Sequence, residues 1–268
     1  MKKILFLSLA FTALTVRAGD YTNSAGVIGY KDSPMLPGGK WHVHDADRPQ
    51  PVVVTPGTFS TSATPPSDAI VLFDGKDTSQ WHDKNGQPSA WKIENGELIS
   101  TKGSDLISKQ EFGDVQLHVE FCMPQPAGEV GQKRNNSGVF FMSKFEIQIL
   151  DCYQNQTYPD GQTGAIYGQR PPLVNACRPP GQWQTYDATF TTPRFDKDGN
   201  VTQPAYLTVF HNGVIVQNHS PILWPTMHKT LGKYTPMPPV SPLKLQDHNN
   251  PVHFRNIWVR PLKLETQD

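Results

Sequence analysis

The chain has 268 residues, and its 24 Lys plus Arg balance its 24 Asp plus Glu, so the formal net charge at pH 7 is zero. This balance argues against a polyanionic partner such as a nucleic acid, because neutralising phosphates requires a surplus of basic residues. The composition instead favours a neutral polar ligand, and sugars are the commonest ligands of that kind.

Residues 1–18 have the pattern of an export leader. Lys2 and Lys3 precede an apolar stretch from Ile4 to Val16, and Ala18 offers the small residue of a cleavage site. The apolar stretch is shorter than the roughly 20 residues that a membrane span needs. We therefore predict a secreted or periplasmic protein, cleaved near Ala18 and without a membrane span.

Residues 19–67 are rich in Pro, Gly, Ser and Thr and predict an extended arm. The stretch WHVHDADRP, at residues 41–49, is unusually dense in His and Asp. In one interpretation its Trp and Val dock the arm on the domain while the polar side chains face water. In the other, His42 and His44 share one face of an extended segment and contact a metal or a sugar.

Residues 68–263 are typical of an all-β domain, followed by a short tail at 264–268. No long stretch has helical spacing, and an Asn-Gly hairpin signal lies at residues 212–213 between two strand-like runs. Many short strands without βαβ alternation favour a jelly-roll β-sandwich. The strand-like runs are AIVLFDG, WKIENGELIS, VQLHVEFCM, SGVFFMSKFEIQILD, TYDATFT, YLTVFHNGVIVQ and VHFRNIWVRPL.

Three of these runs alternate between an apolar and a polar face. The faces predicted to be buried carry Val115, Leu117, Val119 and Phe121; Phe145, Ile147 and Ile149; and Val252, Phe254, Asn256 and Trp258. The opposite faces carry Gln116, His118 and Glu120; Lys144, Glu146 and Gln148; and His253 and Arg255. Since two sheets bury their apolar faces against each other, the polar rows form either a groove or a solvated surface.

The three cysteines cannot all pair within one chain. Cys152 with Cys177 is a possible bridge in an oxidising compartment, which leaves Cys122 as a buried thiol in a strand. No Cys-x-x-Cys pair is present, so the sequence does not indicate a zinc site built on thiolates.

Six motifs in the same order resemble the 3-keto-disaccharide hydrolase family over about residues 68–263. They are LFDGKDTSQW (Leu72 to Trp81), NNSGVFFMSKFEIQILD (Asn135 to Asp151), TGAIYGQRPP (Thr163 to Pro172), PPGQW (Pro179 to Trp183), HNGVIVQN (His211 to Asn218) and LQDHNNPVHFRNIWVRPL (Leu245 to Leu262). The resemblance implies a concanavalin A-like jelly roll and an enzyme that acts on sugars oxidised at C3. A separate upstream sugar 3-dehydrogenase would supply that substrate.

The chemistry that the resemblance implies needs three groups. A C3 ketone acidifies the C2 hydrogen, so a base can remove it, the C1 substituent can leave by β-elimination, and water can add later. The site therefore needs a base with a pKa near neutrality, a group that stabilises the enolate oxygen, and a donor to the leaving oxygen. A divalent metal ion that polarises the ketone is left open, since no ligand spacing is diagnostic.

Several polar residues are candidates for these roles. Glu146 is the first choice for a catalytic role as the base or for a metal ligand, unless it is a surface residue, because it lies on a polar strand face where Glu is otherwise disfavoured. His118 is a second base or ligand, unless it is a surface residue, and Arg255 is either an enolate stabiliser or a structural ion pair. The predicted sugar-binding residues are Gln148, Asn136, Asp151, Tyr167 and His248, of which Asp151 is alternatively a turn former.

Two other functions are consistent with the same sequence. A jelly roll also serves as a non-catalytic carbohydrate-binding module, because a fold does not fix a function. A third alternative is an interaction or envelope protein in which the arm at 19–67 binds a partner.

Overall fold

The computed structural model describes residues 20–58, 61–101, 103–124 and 128–263. The predicted leader at 1–18 and the tail at 264–268 lie outside the described residues. Within them the secondary structure is almost entirely β, with single-turn 3₁₀ helices at Gly131–Lys133 and Pro159–Gly161. No helix in the described part of the chain is long and apolar enough to cross a membrane.

The strands are numbered along the chain as follows. They are β1 (Asp20–Thr22), β2 (Ile28–Tyr30), β3 (Val52–Val53), β4 (Ile70–Phe73), β5 (Trp81–His82), β6 (Lys92–Glu94), β7 (Glu97–Ile99), β8 (Leu106–Phe112), β9 (Val115–Cys122), β10 (Ser137–Phe141), β11 (Phe145–Ile149), β12 (Val174–Asn175), β13 (Trp183–Thr191), β14 (Arg194–Phe195), β15 (Val201–Gln203), β16 (Ala205–His211), β17 (Val214–Ile222), β18 (Ser241–Leu245) and β19 (His253–Pro261).

Two antiparallel sheets form the body of the protein. The smaller sheet has five strands in the order β11-β10-β18-β8-β5. The larger sheet has the order β17-β16-β13-β9-β19-β7-β6, and β4 pairs with β19 beside this path. Strands distant in sequence are neighbours in both sheets, as expected for a jelly roll. The predicted all-β, jelly-roll sandwich is confirmed.

One continuous apolar core lies between the two sheets. Alternate residues of β9 and β11 enter it, so Val119 and Ile147 are fully buried. The Phe141 ring from the small sheet stacks on the Phe190 ring from the large sheet, with centroids 4.6 Å apart. The residues between these core-facing positions point away from the core, on the outer side of each sheet. The two outer faces therefore lie on opposite sides of the sandwich.

The predicted alternation is wrong in β19 after Arg255. Asn256 has a φ of 45°, and the register with β9 shifts between Arg255 and Trp258. Such a bulge adds a residue and reverses which side chains face the core. Asn256 and Trp258 consequently turn to the outer face, while Ile257 is buried in the core.

The segment at 20–58 packs on the body rather than projecting from it. Its β1 and β2 form a hairpin, and β3 pairs in parallel with β12 of the body. Val43 packs with Leu36 and Trp224, and Trp41 packs against this cluster, so the predicted docking through Trp41 and Val43 is confirmed. The polar side chains do not all face water, however, because His44 and Asp45 are buried.

The three cysteines are buried and unpaired in the structure. Cys152 and Cys177 nevertheless lie in one small cluster with Leu150, so the two residues are neighbours, although no bridge joins them in the structure. Burial raises the pKa of the Cys122 thiol to about 11, which keeps it protonated and unreactive at neutral pH.

Candidate active site

The predicted catalytic residues lie on two different outer faces. Glu146 belongs to β11, and its side chain leaves the small sheet on the outer side. His118 belongs to β9 and Arg255 to β19, so both side chains leave the large sheet on its outer side. With the core between the sheets, the structure does not bring Glu146 together with His118 or Arg255.

On the large sheet, His118 and Arg255 belong to a network of paired charges. His118 Nδ1 hydrogen-bonds to Asp187 Oδ1 at 2.6 Å, and its Nε2 lies 3.5 Å from Glu120 Oε1. Arg255 Nε donates to Glu120 Oε2 at 2.7 Å, and Asn256 Nδ2 donates to Glu120 Oε1 at 2.9 Å. Two cations and two carboxylates therefore compensate each other on this face.

The same contacts fix the protonation of the network. Burial alone would lower the pKa of His118, but hydrogen bonds to Asp187 and Glu120 outweigh it and raise the pKa to about 9. Burial would raise the pKa of Glu120, but its hydrogen bonds to His118 and other donors lower it to about 2. A histidine that stays protonated at pH 7 is a poor general base. The contact between Arg255 and Glu120 supports the alternative interpretation, in which Arg255 belongs to a structural ion pair.

On the small sheet, three outward side chains form a row across neighbouring strands. The register pairs Glu146 of β11 with Phe140 of β10, and Phe140 with Lys244 of β18. Residues directly opposite each other point to the same side of a sheet, with Cβ atoms about 5 Å apart. The row therefore places a carboxyl and an ammonium group on one surface, separated by an aromatic ring.

Glu146 is a buried acid within this row. Its side chain is only 3% exposed, and burial raises its pKa to about 8, although the positive charge of Lys244 acts in the opposite direction. Gly138 makes room for the carboxyl group: a Cβ at that position would lie 2.5 Å from Glu146 Oε1. A carboxyl group with a pKa near neutrality suits proton transfer.

Gly138→Ala tests whether the space beside the Glu146 carboxyl group is needed for activity. The new methyl group would force the Glu146 carboxyl to move, so we expect kcat to fall about tenfold to a hundredfold. Gly138 needs no left-handed backbone, and the obstructing atom ends a flexible side chain. The melting temperature should therefore change by only a few degrees. Steady-state kinetics and thermal unfolding would check this, and an unchanged kcat would contradict the proposed position of the carboxyl.

Lys244 is held in place by two contacts on the small sheet. Its Nζ lies 3.0 Å from Asp105 Oδ2 and 3.9 Å from the centroid of the Phe140 ring. The ion pair and the cation–π contact hold the ammonium group on the outer surface of this sheet. Lys244 was not among the residues predicted from the sequence, although its place between the buried Leu243 and Leu245 marks it as an outward residue of a strand.

Two loops form the wall of the site beside β11. Glu146 N donates to Thr226 Oγ1 at 3.0 Å, which fixes the loop that carries His228. The Tyr167 hydroxyl comes from the other loop and lies 3.0 Å from His228 Nδ1. The residue before Tyr167, Ile166, forms a β-bridge with Ile147 of β11. The structure thus brings predicted Tyr167 to the Glu146 side, together with His228, for which the sequence offered no signal.

His228 is neutral at pH 7. Burial and then the neighbouring basic side chains of His44 and Lys229 lower the pKa of His228 to about 4. When the Tyr167 hydroxyl donates to Nδ1, the ring proton of a neutral imidazole is on Nε2. His228 can then act as a neutral hydrogen-bond donor.

The remaining predicted sugar-binding residues divide into three groups. Gln148 and Asn136 lie together on the small-sheet side, with Gln148 Nε2 donating to Asn136 Oδ1 at 3.0 Å. His248 is exposed in the loop after β18, close enough to His228 to affect its pKa. Asp151 is fully buried and accepts a hydrogen bond from Arg134 Nε at 2.7 Å, which fits its alternative role in the turn.

The possible metal site depends on its potential ligands: within the residues that the structure describes, no group of three His, Cys, Asp or Glu side chains is placed so that it could hold a metal ion.

Comparison with known proteins assigns the chain to a carbohydrate-active family. Residues 68–260 match the family described as 3-keto-alpha-glucoside-1,2-lyase-like domain. The chain belongs to this 3-keto-disaccharide hydrolase family. The match covers Glu146, Lys244 and His228, and it ends within β19.

Relatives of the family agree with this assignment. The chain is 25% identical over 237 residues to a 3-keto-disaccharide hydrolase of Bacteroides thetaiotaomicron, a match that covers 72% of this chain and 78% of that protein. A crystal structure of a candidate glycosyl hydrolase from Parabacteroides distasonis is 41% identical, with a TM-score of 0.73, and the match covers 85% of this chain and 100% of that one. A second candidate glycosyl hydrolase from that organism, 20% identical over 73% of this chain and 94% of its own with a TM-score of 0.52, shares the fold. The protein is a carbohydrate-active enzyme of the hydrolase or lyase type.

Proposed function

We propose that this protein is an extracytoplasmic enzyme that cleaves glycosides already oxidised at C3. The observation that carries the proposal is the buried Glu146, with its pKa near 8, in one row with the Lys244 ammonium. This pair supplies a base that functions near neutral pH and a positive charge for a developing enolate. The family membership and the named relative support the choice of substrate class.

The proposed reaction begins with proton transfer from C2 of the sugar to Glu146. The electron pair of the C2–H bond moves toward the C3 ketone and gives an enolate, whose negative oxygen the Lys244 ammonium stabilises. Fixed charges in a partly buried site are well suited to this task. Lys244 takes the role that the sequence suggested for Arg255, which lies on the opposite face of the sandwich.

The C1 substituent leaves in the next step. As the enolate reforms the ketone, the C1–O bond breaks and a C1–C2 double bond forms, while His228 Nε2–H gives its proton to the leaving oxygen. Water then adds at C1 and gives one proton back to His228 Nε2, while Glu146 returns its proton to C2. The sum is hydrolysis of the glycosidic bond, and it does not need the paired carboxylates of ordinary glycosidases.

The setting of this reaction follows from its chemistry. An oxidoreductase must first convert the C3 hydroxyl of the sugar to a ketone, because the C2 hydrogen of an unoxidised sugar is not acidic. The leader pattern at residues 1–18 supports export, with cleavage near Ala18. Detecting the mature amino terminus in an extracytoplasmic fraction would test this location.

The experiment that tests the activity compares a 3-keto disaccharide with its unoxidised parent. We expect the purified protein to release the second sugar from the keto substrate only. In deuterated water, exchange of the Glu146 proton with solvent before its return should leave deuterium at C2 of the recovered keto sugar. Release from the unoxidised parent alone would contradict the mechanism. Binding of both sugars without any turnover would favour a carbohydrate-binding protein.

The pH dependence gives a further prediction. Glu146 acts as a base only when deprotonated, and burial raises its pKa to about 8. The value of kcat/KM should therefore rise with pH, reach half of its maximum near pH 8 and level off above it. A profile measured from pH 5 to pH 10 would show this. An activity that falls between pH 6 and pH 8 would contradict a role for Glu146 as the base.

A further inference from the structure

The segment at 20–58 precedes the family match at 68–260. His44 in this segment is fully buried, and its φ of 60° lies in the left-handed region. Such a conformation is uncommon outside glycine and is worth inspecting for function. The two histidines of the WHVHD stretch are not equivalent, because His42 is only partly buried.

Asp160 fixes the position of His44. The backbone N–H of His44 donates to Asp160 Oδ2 at 2.9 Å, and its ring Nδ1 lies 3.3 Å from Asp160 Oδ1. Asp160 is also fully buried, and it lies in the 3₁₀ helix Pro159–Gly161 of the body. The other ring nitrogen of His44, Nε2, is buried, and no hydrogen-bond partner for it lies among the described residues.

The His44 ring packs against the residues that form the wall of the candidate active site. Its centroid lies 4.7 Å from that of Tyr167 and 5.1 Å from that of His228, on which it stacks. The ring also lies 4.2 Å from Tyr158, whose hydroxyl is 3.1 Å from the Tyr167 hydroxyl. His44 thus touches each member of the chain Tyr158–Tyr167–His228.

The same segment holds the loop around His228 from a second side. Asp32 Oδ1 lies 2.9 Å from Lys229 Nζ, and the Lys229 ammonium stands 4.0 Å from the centroid of the Tyr30 ring. The Tyr30 ring in turn meets His228 edge to face, with centroids 5.7 Å apart. The segment therefore contacts both His228 and the residue after it.

We propose that His44, anchored by Asp160, is a positioning residue that orients Tyr167 and His228, so that the segment at 20–58 completes the active site. The proposal rests on the role of His228 in the proposed function. Stacking and packing fix the plane of the imidazole, and the Tyr167 hydroxyl fixes its tautomer. His44 does not touch the substrate, because its side chain is fully buried.

His44→Asn is the variant that tests the proposal. Asparagine tolerates the left-handed backbone and keeps a polar side chain near Asp160, but it lacks the ring. We expect kcat to fall about a hundredfold with KM within about threefold, because small displacements of a reacting group have effects of this size. Val27→Ala, at a buried position of the same segment, is the control: it should lower the melting temperature and leave kcat unchanged.

A double-mutant cycle separates positioning from a general loss of structure. In a His228→Gln background, His44→Asn should reduce kcat by less than about threefold, since the residue through which it acts is already absent. Equal effects of His44→Asn in both backgrounds, or no effect on kcat in the wild type, would overturn the proposal.

A spectroscopic measurement tests the positioning role of His44 without relying on turnover of a substrate. Nitrogen NMR of the imidazole rings should show His228 with its proton on Nε2 in the wild type and a mixture of tautomers in His44→Asn. If the wild type turns over no 3-keto sugar, the proposed function fails, while this loss of tautomer preference would still support positioning. An unchanged His228 tautomer in the variant would overturn it.

Discussion

Glu146→Gln should reduce kcat on a 3-keto glycoside by about a thousandfold, within the range expected for loss of a general base. Glutamine has nearly the same shape as glutamic acid, so the space beside Gly138 stays filled and substrate binding should change little. Steady-state kinetics with the keto disaccharide, and deuterium incorporation at C2, would measure the loss. Normal turnover by this variant would remove Glu146 from the mechanism.

The same variant should be more stable than the wild type at alkaline pH. The folded-state pKa of Glu146, about 8, lies above the value near 4.5 of an unperturbed glutamate. Between these pH values the folded state binds more protons than the unfolded state, so the free energy of unfolding falls as the pH rises. Glutamine does not ionise and avoids this loss. Denaturant unfolding should show similar stabilities at pH 5 and a gain for the variant of a few kcal/mol at pH 9.

His118→Gln is the matched control on the opposite face. This substitution breaks the hydrogen bond to Asp187 and removes a cation from the network around Glu120. We expect a loss of stability with kcat within about threefold of the wild type. A loss of kcat as large as that of Glu146→Gln would show that the large-sheet face takes part in the reaction.

Lys244→Met should lower kcat by about a hundredfold or more, because it removes the fixed charge that faces the developing enolate. Methionine keeps the unbranched stem that packs on Phe140. The Lys244 charge also lowers the pKa of Glu146, so its loss should move the rise in activity to a higher pH. Kinetics from pH 6 to pH 10 would measure both effects. Lys92→Met, at an exposed lysine of β6, should behave as the wild type.

Asp105→Asn is a control for Lys244→Met, because it should shift the pKa of Glu146 in the opposite direction. The Asp105 carboxylate raises the pKa of Glu146, so its removal should shift the activity rise to a lower pH, with Lys244 still in place. A shift in the same direction for Lys244→Met and Asp105→Asn would mean that disturbed packing, rather than charge, controls Glu146.

The strand pattern was predictable because alternation is a local property. The apolar residues at every second position of β9 and β11 must face the core in any two-sheet arrangement, and this places Glu146 and His118 on outer surfaces. The prediction was wrong at Asn256, where a bulge with a left-handed residue reverses the alternation. No local signal in the sequence marks that bulge.

The membership of individual residues in the site was only partly predictable. Glu146, Gln148 and Asn136 lie close in sequence, and the structure brings them together on the small sheet. His118 and Arg255 looked equivalent to Glu146, because each is a polar residue on an alternating strand. The alternation of a strand shows which of its side chains point away from the core. It does not show which of the two sheets contains the strand, so it cannot place two such side chains on the same outer face.

The sequence by itself determined the all-β architecture, the family and the polar character of the Glu146 strand, because each depends on residue order and local spacing. Only the tertiary structure decided which polar residues share a face. Strand pairing between residues about 100 positions apart sets Lys244 in line with Glu146, and folding places the two loops that carry Tyr167 and His228 beside β11. Burial, which also arises only on folding, raises the pKa of Glu146 toward the range where a carboxyl group can act as a base.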